Sequence, residues 1–329
     1  MKVLVTGNAG FIGFHVCKKL IERGDTVVGL DNLNTYYDIN LKKSRLKILN
    51  KTEKEFKGKY FFYKIDISER KKLKKIFLKH KFDRVIHLAA QAGVRYSIEH
   101  PELYVKSNQL GFFNIIDLAN SFKVPHFLYA SSSSVYGDNL KLPFKEENNT
   151  DKPRQIYAAT KKSNELMAYS YSSLHGLKTT GLRYFTVYGP WGRPDMALFK
   201  FTKNILKKKE ITIYNNGNHR RDFTYIDDVV DLTLLANDKI LKNKKKKRAF
   251  QILNIGRNST IKINKFINII EKIKKIKSKK KMVSLQKGDM VSTYSNSSKI
   301  FKEFNYKIKS NHNLNIAKFI DWYKNYYSE

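Results

Sequence analysis

Short runs of apolar residues alternate with longer stretches in which apolar positions recur three or four apart, and this alternation predicts the fold. Val3-Leu4-Val5 reads as a buried strand that ends in a glycine-rich turn, and Phe11, Ile12, Val16, Leu20 and Ile21 then mark one face of a helix running to Glu22. Thr26 to Leu30, Tyr60 to Ile65, Arg84 to Leu88 and Phe127 to Ala130 read as four more strands, separated by helix-patterned or polar stretches. Thr179 to Phe185 and Gln251 to Ile255 are candidates for the same sheet. Strands alternating with helices over this length predict an α/β fold with a Rossmann-type, doubly wound parallel sheet. Val187 to His219 and Asn258 to Glu329 lack the alternation and are expected to form a smaller, interleaved C-terminal substrate-binding domain. The expected division assigns 1–185 plus 221–257 to the first unit and 186–220 plus 258–329 to the second. No proline-rich or serine-rich linker separates them, so they are expected to pack together.

Composition narrows the class. A chain of 329 residues with 41% hydrophobic content can bury a core, which excludes disorder as its main description. Lys and Arg number 64 against 29 Asp and Glu, a formal charge of +35 that invites a polyanion-binding reading. The charge is uneven: between Leu241 and Lys281 sixteen basic residues face a single acid, Glu271. Its two runs, Lys242 to Arg248 and Lys272 to Lys281, read as a solvated loop and a helix face. No aromatic residue is interleaved in the second, as a nucleic-acid strip would require, and a nucleic-acid partner is not expected. The single cysteine, Cys17, excludes an internal disulfide and suits a reducing, cytoplasmic setting. No window resembles a membrane span, no signal peptide is expected, and the eight scattered histidines predict no metal site.

The chemistry sits elsewhere. Gly7, Gly10 and Gly13 occupy the turn between the first strand and helix: the first permits the turn, the second lets backbone approach a pyrophosphate, and the third lets helix and strand pack closely. Asp31 follows at the end of the next strand, about 20 residues on, where a carboxylate accepts from a ribose diol and repels a 2′-phosphate; NAD is therefore favoured over NADP. Asp66-Ile67 stands at the end of the third strand, where it flanks an adenine or caps a helix. Tyr157 and Lys161 lie four apart on one helix face, and a lysine beside a phenol, with a positive nicotinamide near both, draws the phenol pKa toward neutrality. Four serines, Ser131 to Ser134, follow the fifth strand, where hydroxyls reach the ligand crevice of an open sheet.

The glycine turn, the serine run and the Tyr157/Lys161 pair together resemble the extended short-chain dehydrogenase/reductase superfamily. Further segments resemble one branch, the UDP-glucuronate 4-epimerases: Asp31 to Asn34 with Tyr36 to Asp38, His87 to Ser97, Arg183 to Ala197, Arg221 to Tyr225, Gly288-Asp289 and Trp322-Tyr323. The likeness runs from Lys2 to about Tyr327, essentially the whole chain. It implies cofactor contacts from Gly7, Gly10, Phe11, Ile12, Gly13, Asp31, Asn32, Asp66 and Ile67, and from Leu88, Ala89, Ala90, Asn108, Tyr157, Lys161 and Tyr184. It also implies that Tyr157 removes the proton of the sugar C4 hydroxyl, with Ser132 bonded to the same oxygen and Lys161 holding the nicotinamide ribose. A 4-keto intermediate would then turn about its diphosphate linkage and be reduced on the opposite face.

The branch is chosen by residues that are present or missing. Related 4,6-dehydratases carry Asp and Glu where Ser133 and Ser134 stand here, and hydroxyls cannot replace that acid and base. Related decarboxylases carry a Glu in that region, also absent. Arg193 offers a planar fork for a C6 carboxylate, with Ser133, Ser134 and Thr186 as hydroxyl partners; the bland alternative is a surface arginine after a turn. Arg95, Arg221 and Asp289 complete the expected substrate set, Arg221 toward the diphosphate and Asp289 toward the uridine ribose. The leading expectation is C4 epimerisation of UDP-glucuronate to UDP-galacturonate by an NAD-dependent homodimer feeding polysaccharide synthesis. The alternatives are another UDP-sugar, such as UDP-glucose or a UDP-N-acetylhexosaminuronate, and a basic nucleic-acid-binding protein on a dehydrogenase fold.

Overall fold

The computed structural model describes residues 1–239, 249–286 and 289–328; the lysine run Lys242 to Arg248 and Gly288 lie outside the described residues. The chain opens with β1 (Lys2–Thr6), α1 (Phe11–Glu22), β2 (Thr26–Asp31), α2 (Ile39–Glu55), β3 (Lys59–Lys64), α3 (Arg70–Lys79) and β4 (Arg84–His87). Two one-turn helices, α4 (Tyr96–Glu99) and α5 (Pro101–Tyr104), lead through a π-helical turn at Val105–Leu110 into α6 (Gly111–Ser121) and β5 (Phe127–Ser132). The long helix α7 (Ile156–His175) precedes β6 (Thr179–Tyr184), β7 (Thr186–Tyr188), α8 (Ala197–Leu206) and β8 (Ile211–Tyr214). Then come β9 (Arg220–Arg221), β10 (Phe223–Tyr225), α9 (Ile226–Asp238), β11 (Phe250–Ile255), β12 (Ile261–Lys262) and α10 (Ile263–Lys274). The last elements are β13 (Lys280–Val283), β14 (Ser292–Thr293), α11 (Ser298–Phe304) and α12 (His312–Tyr327).

Seven strands form one sheet in the order β11-β6-β5-β4-β1-β2-β3, every neighbouring pair parallel. Such strands are covered on both faces, which is why Val3, Leu4 and Val5 are all fully buried rather than alternating. One face packs on Phe14 and Leu20 of α1 and Val229 and Leu232 of α9; the other packs on Leu73 and Phe77 of α3 and Phe112 and Ile116 of α6. The winding reverses between β1 and β4, so a crevice opens beyond their carboxyl ends, where ligands bind in folds of this type.

Strand boundaries fall within one residue of the sequence reading except at the end of β5. β5 does not stop at Ala130 but continues through Ser132, because its backbone stays paired with β6, Ser131 opposite Arg183 and Ser132 opposite Tyr184. Two serines of the run therefore belong to the strand, and Ser133 and Ser134 begin a 3-10 turn that Ser132 caps by accepting from the Ser134 N–H at 3.2 Å.

The segments that lack alternation carry small sheets: β7 beside β10, β9 between β12 and β14, and β8 beside β13. Amphipathic α10 buries Ile263, Phe266, Ile267 and Ile270, while Lys272, Lys275, Lys277 and Lys279 at and beyond its end are exposed. Among the described residues, no helix is long and apolar enough to cross a membrane.

Candidate active site

A cavity of about 1120 Å³ occupies the crevice and is bounded by the sheet on one side and by α8, β8 and the Asp289 loop on the other. The turn after β1 forms one end. Gly7 has φ +74°, and a Cβ there would lie 2.8 Å from the Ala89 nitrogen; a Cβ on Gly13 would lie 2.1 Å from the Gly7 carbonyl oxygen. Backbone thus fills the space that side chains would need, and it leads into the N-terminus of α1, where free N–H groups face an anion. Gly10, Phe11 and Ile12 line the same end.

Asp31 ends β2 at the cavity edge and accepts from the Leu33 N–H at 2.8 Å. Burial raises its pKa, against the opposing pull of Lys42. Lys42 itself donates to the Asn34 carbonyl and side-chain oxygens at 2.9 and 2.8 Å. These residues fit a dinucleotide: a side-chain-free turn at a helix N-terminus, then a carboxylate at the next strand end. Asn32, Ile67, Leu88, Ala89, Ala90 and Tyr184 also line the cavity, although the Tyr184 hydroxyl is committed to Thr233 at 2.9 Å.

Two expected cofactor contacts stand outside the cavity wall. The Asp66 carboxylate accepts from the Ser68 N–H and hydroxyl at 2.9 and 2.7 Å and from Asn32 at 2.9 Å, so it builds the turn before α3. Asn108 is buried, bonding the Gln91 N–H, the Gln91 carbonyl and the Thr160 hydroxyl at 2.8, 3.0 and 3.1 Å; it holds the loop after β4 from behind.

Tyr157, in the first turn of α7, lines the cavity with Ser132, and Ser132 and Arg193 both favour its ionised form. Burial outweighs both and raises its pKa, before any charge that a bound nicotinamide would add. Lys161, only 3% exposed, is pushed down to about 8 by burial and donates to the Ala130 carbonyl at 2.8 Å. Ser132 and Arg193, not Lys161, are the groups of this chain that work against the burial of the phenol.

Ser133, Ser134, Thr186 and Arg193 line the same cavity as Tyr157. The Arg193 fork already grips a carboxylate: Nε donates to Asp195 at 2.9 Å, and Nη2 bonds its second oxygen, which also accepts from Tyr36 at 3.2 Å. Burial works to raise the Asp195 pKa, but Arg193 holds it below the ordinary value. Arg95 donates to Asp289 at 2.8 Å and lies 4.4 Å from the Tyr214 ring, placing both expected residues at the mouth. Arg221 is not part of the wall: its Nη1 donates to the carbonyls of Arg220 and Val291, both at 3.0 Å, and burial lowers its pKa to about 10. It braces the loop that carries Asp289.

Several lining residues had no signal of their own in the sequence. Lys203 and Asn204 of α8 and Thr212 of β8 close the far end, and such residues are too common in this chain to stand out. Arg45 of α2 is fully buried and donates to the Ala9 carbonyl, the Tyr37 hydroxyl and the Trp191 carbonyl at 2.7, 2.7 and 2.6 Å. It ties the glycine turn to the loop that carries Arg193.

Comparison with known proteins agrees with this geometry. Residues 3–256 match the model of the NAD dependent epimerase/dehydratase family. UDP-glucuronate 4-epimerase 2 of Arabidopsis thaliana is 46% identical over 340 residues, covering 100% of this chain and 77% of that protein. Protein CapI of Staphylococcus aureus is 45% identical, with 100% of both chains covered. The structure of a UDP-glucuronic acid 4-epimerase from Bacillus cereus, with UDP-glucuronic acid and NAD, superposes with a TM-score of 0.90 at 32% identity, covering 99% of this chain and 100% of that one. A UDP-glucose 4-epimerase of Thermotoga maritima with UDP-glucose gives 0.86 at 28% identity, over 99% and 100% of the two chains. On the strength of the family match and of these full-length likenesses, the chain belongs to the NAD dependent epimerase/dehydratase family.

Proposed function

We propose that the protein is an NAD-dependent 4-epimerase that interconverts UDP-glucuronate and UDP-galacturonate. The observation that carries the choice of a uronate is the grouping of Arg193 with Ser133, Ser134 and Thr186 in the cavity that also holds Tyr157. Asp195 takes Nε and Nη2 of Arg193, and the remaining Nη1 with three hydroxyls suits a carboxylate at C6, since the cation has no ionic partner in a hydroxymethyl group. The curated relatives from Arabidopsis thaliana named UDP-glucuronate 4-epimerase support the same reading.

In this reading Tyr157 takes the proton of the C4 hydroxyl, and Ser132 stays hydrogen-bonded to that oxygen as it becomes a carbonyl. NAD, when bound, supplies the redox chemistry by accepting the C4 hydrogen with its electron pair and returning it. Lys161 holds the nicotinamide ribose, and Gly7, Gly10, Gly13 and Asp31 seat the rest of the dinucleotide. The 4-keto sugar turns about its diphosphate, and Tyr157 gives the proton back once the opposite face has been reduced. A carboxylate held by Arg193 cannot swing out of the plane of its neighbours, which suppresses loss of CO₂ from the β-keto acid. The absence of a carboxylic acid at Ser133 and Ser134 leaves water elimination without its acid and base.

The proposal includes a division of labour, with 1–185 plus 221–257 holding NAD and 186–220 plus 258–329 holding the nucleotide sugar, and a cytoplasmic homodimer. The dimer rests on an apolar face shared by the π-turn, α6 and α7, where Val105, Leu110, Phe113, Leu166 and Leu174 are all exposed. The decisive experiment offers the purified protein UDP-glucuronate, UDP-glucose and UDP-N-acetylglucosamine separately and resolves the products by chromatography. UDP-galacturonate is expected; equal turnover of UDP-glucose and UDP-glucuronate overturns the choice of substrate.

A further inference from the structure

Three consecutive residues at the end of β5 are each tied to one face of α7. Ser132 favours the ionised form of Tyr157, Lys161 donates to the Ala130 carbonyl at 2.8 Å, and the Ser131 hydroxyl donates to Glu165 at 2.6 Å. Tyr157, Lys161 and Glu165 stand at steps of four, so they form one stripe along the helix. The third tie has its own support. Arg183 lies directly opposite Ser131 in the β5–β6 register and grips Glu165 through Nε and Nη2, both at 2.8 Å. The Glu165 and Arg183 side chains are 5% and 4% exposed. The guanidinium also lies 4.9 Å from the Tyr136 ring and donates to the Glu146 carbonyl at 3.1 Å.

We propose that Glu165 is a positioning residue for catalysis: held by Arg183 and bonded by Ser131, it sets the register of α7 against β5 and thereby how closely Ser132 approaches Tyr157. Two arguments carry this. Tyr157 must give up and regain a proton, and Lys161 must serve the cofactor ribose, so neither can anchor the helix through a whole turnover. Glu165 has no such duty, because Arg183 and Ser131 between them engage both of its oxygens. Second, a buried ion pair stabilises a fold little compared with apolar side chains of the same volume, whereas it does fix one geometry against its alternatives. The pair is built where three elements carrying candidate site residues meet: β5 with Ser132, α7 with Tyr157, and β6 with Tyr184.

The inference rests on the proposed role of Tyr157, and the test separates the two. Ser131→Ala removes only the link between the ion pair and the catalytic strand, leaving Glu165 and Arg183 paired. For wild type, Ser131→Ala and Ser131→Thr, kcat and KM are measured across pH on whichever UDP-sugar the wild type turns over, with NAD affinity and melting temperature as folding controls. Ser131→Ala is expected to lower kcat at least tenfold with KM changed less than twofold. It should also move the acidic limb of the kcat profile to higher pH, since Ser132, which opposes the effect of burial on Tyr157, draws away. Ser131→Thr, which keeps a hydroxyl, should restore most of the rate. Crystal structures of Ser131→Ala and wild type should show the Tyr157 and Ser132 oxygens farther apart in the variant, a readout independent of substrate. Unchanged kcat and pH profile in Ser131→Ala, or an unmoved Tyr157–Ser132 pair in its crystal structure, overturns the positioning role. Failure of the wild type on UDP-glucuronate overturns only the substrate assignment.

Discussion

Burial acts on Tyr157 and Lys161 in opposite senses because it penalises the charged form of each: the phenol pKa rises, and the ammonium falls to about 8. Tyr157→Phe keeps the ring and deletes the proton carrier, so kcat should fall by roughly 10²–10⁴ while NAD and UDP-glucuronate bind within a few-fold of wild type. Product chromatography with titration calorimetry reads both, and a variant that keeps a tenth of the rate would refute the role. Lys161 also makes a prediction about stability. Its folded pKa lies below the unfolded value, so between about pH 8 and the ordinary lysine range the unfolded chain binds more protons, and stability contributed by this site rises with pH. Lys161→Met removes that dependence. The melting temperature of the variant relative to wild type should be highest below pH 8 and decline as pH rises toward 10.5; a difference independent of pH contradicts the assignment. At Arg193, replacement by Ala should reduce the preference for UDP-glucuronate over UDP-glucose by tenfold or more in kcat/KM, since only the uronate loses an ionic partner. An unchanged ratio removes Arg193 from the carboxylate site.

The elements show what a linear pattern conveys and what it hides. Buried parallel strands announce themselves as apolar runs, and a glycine-rich turn before an amphipathic helix names the cofactor end, so the sheet and the glycine turn were legible. Gly13 makes the point testable: a methyl group there would meet the Gly7 carbonyl oxygen at 2.1 Å. Gly13→Ala should therefore weaken NAD binding at least tenfold and destabilise the fold by about 1–3 kcal/mol, read by calorimetry and thermal melts. Wild-type NAD affinity in that variant would show the turn to be looser than described. Pairings between distant residues were not legible. Nothing near Arg193 in the sequence says that Asp195 rather than solvent takes its fork, since any carboxylate two residues away in a turn has many orientations. Nothing in the residues around Arg221 shows that its guanidinium turns to the Val291 carbonyl, which depends on how β9 pairs with β14. The extra length of β5 was hidden for a related reason: serines end strands by propensity, and only pairing with β6 keeps Ser131 and Ser132 extended.

At the scale of the molecule, the net charge of +35 and the site are separate matters. Residues that line the cavity include Lys200, Lys203 and Arg193, enough to attract a substrate that carries a diphosphate and a carboxylate. The exposed lysines at the end of α10 lie outside that wall. Association with mixed-sequence RNA should accordingly be weak at physiological ionic strength and fall steeply as salt rises, whereas tight, salt-resistant binding would favour the nucleic-acid alternative. The proposed dimer is tested at its apolar face: Phe113→Glu with Leu166→Glu, at positions 41% and 56% exposed, should yield monomers in sedimentation velocity. A wild type that sediments as a monomer, or a variant that stays paired, rejects that interface.

Arg45 gives the molecule a stiff side and a soft one. Its guanidinium is sealed from water and shares its donors between the glycine turn, Tyr37 and the backbone of Trp191, so separating those parts would strand a buried cation among unmet acceptors. The pair across the opposite mouth, Arg95 with Asp289, has an arginine 43% exposed to solvent and parts at little cost. Opening of the crevice should therefore cost least on the Asp289 side and most beside the glycine turn. Under the proposed function, a sugar nucleotide exchanging on the Asp289 side would leave the residues that seat the dinucleotide undisturbed.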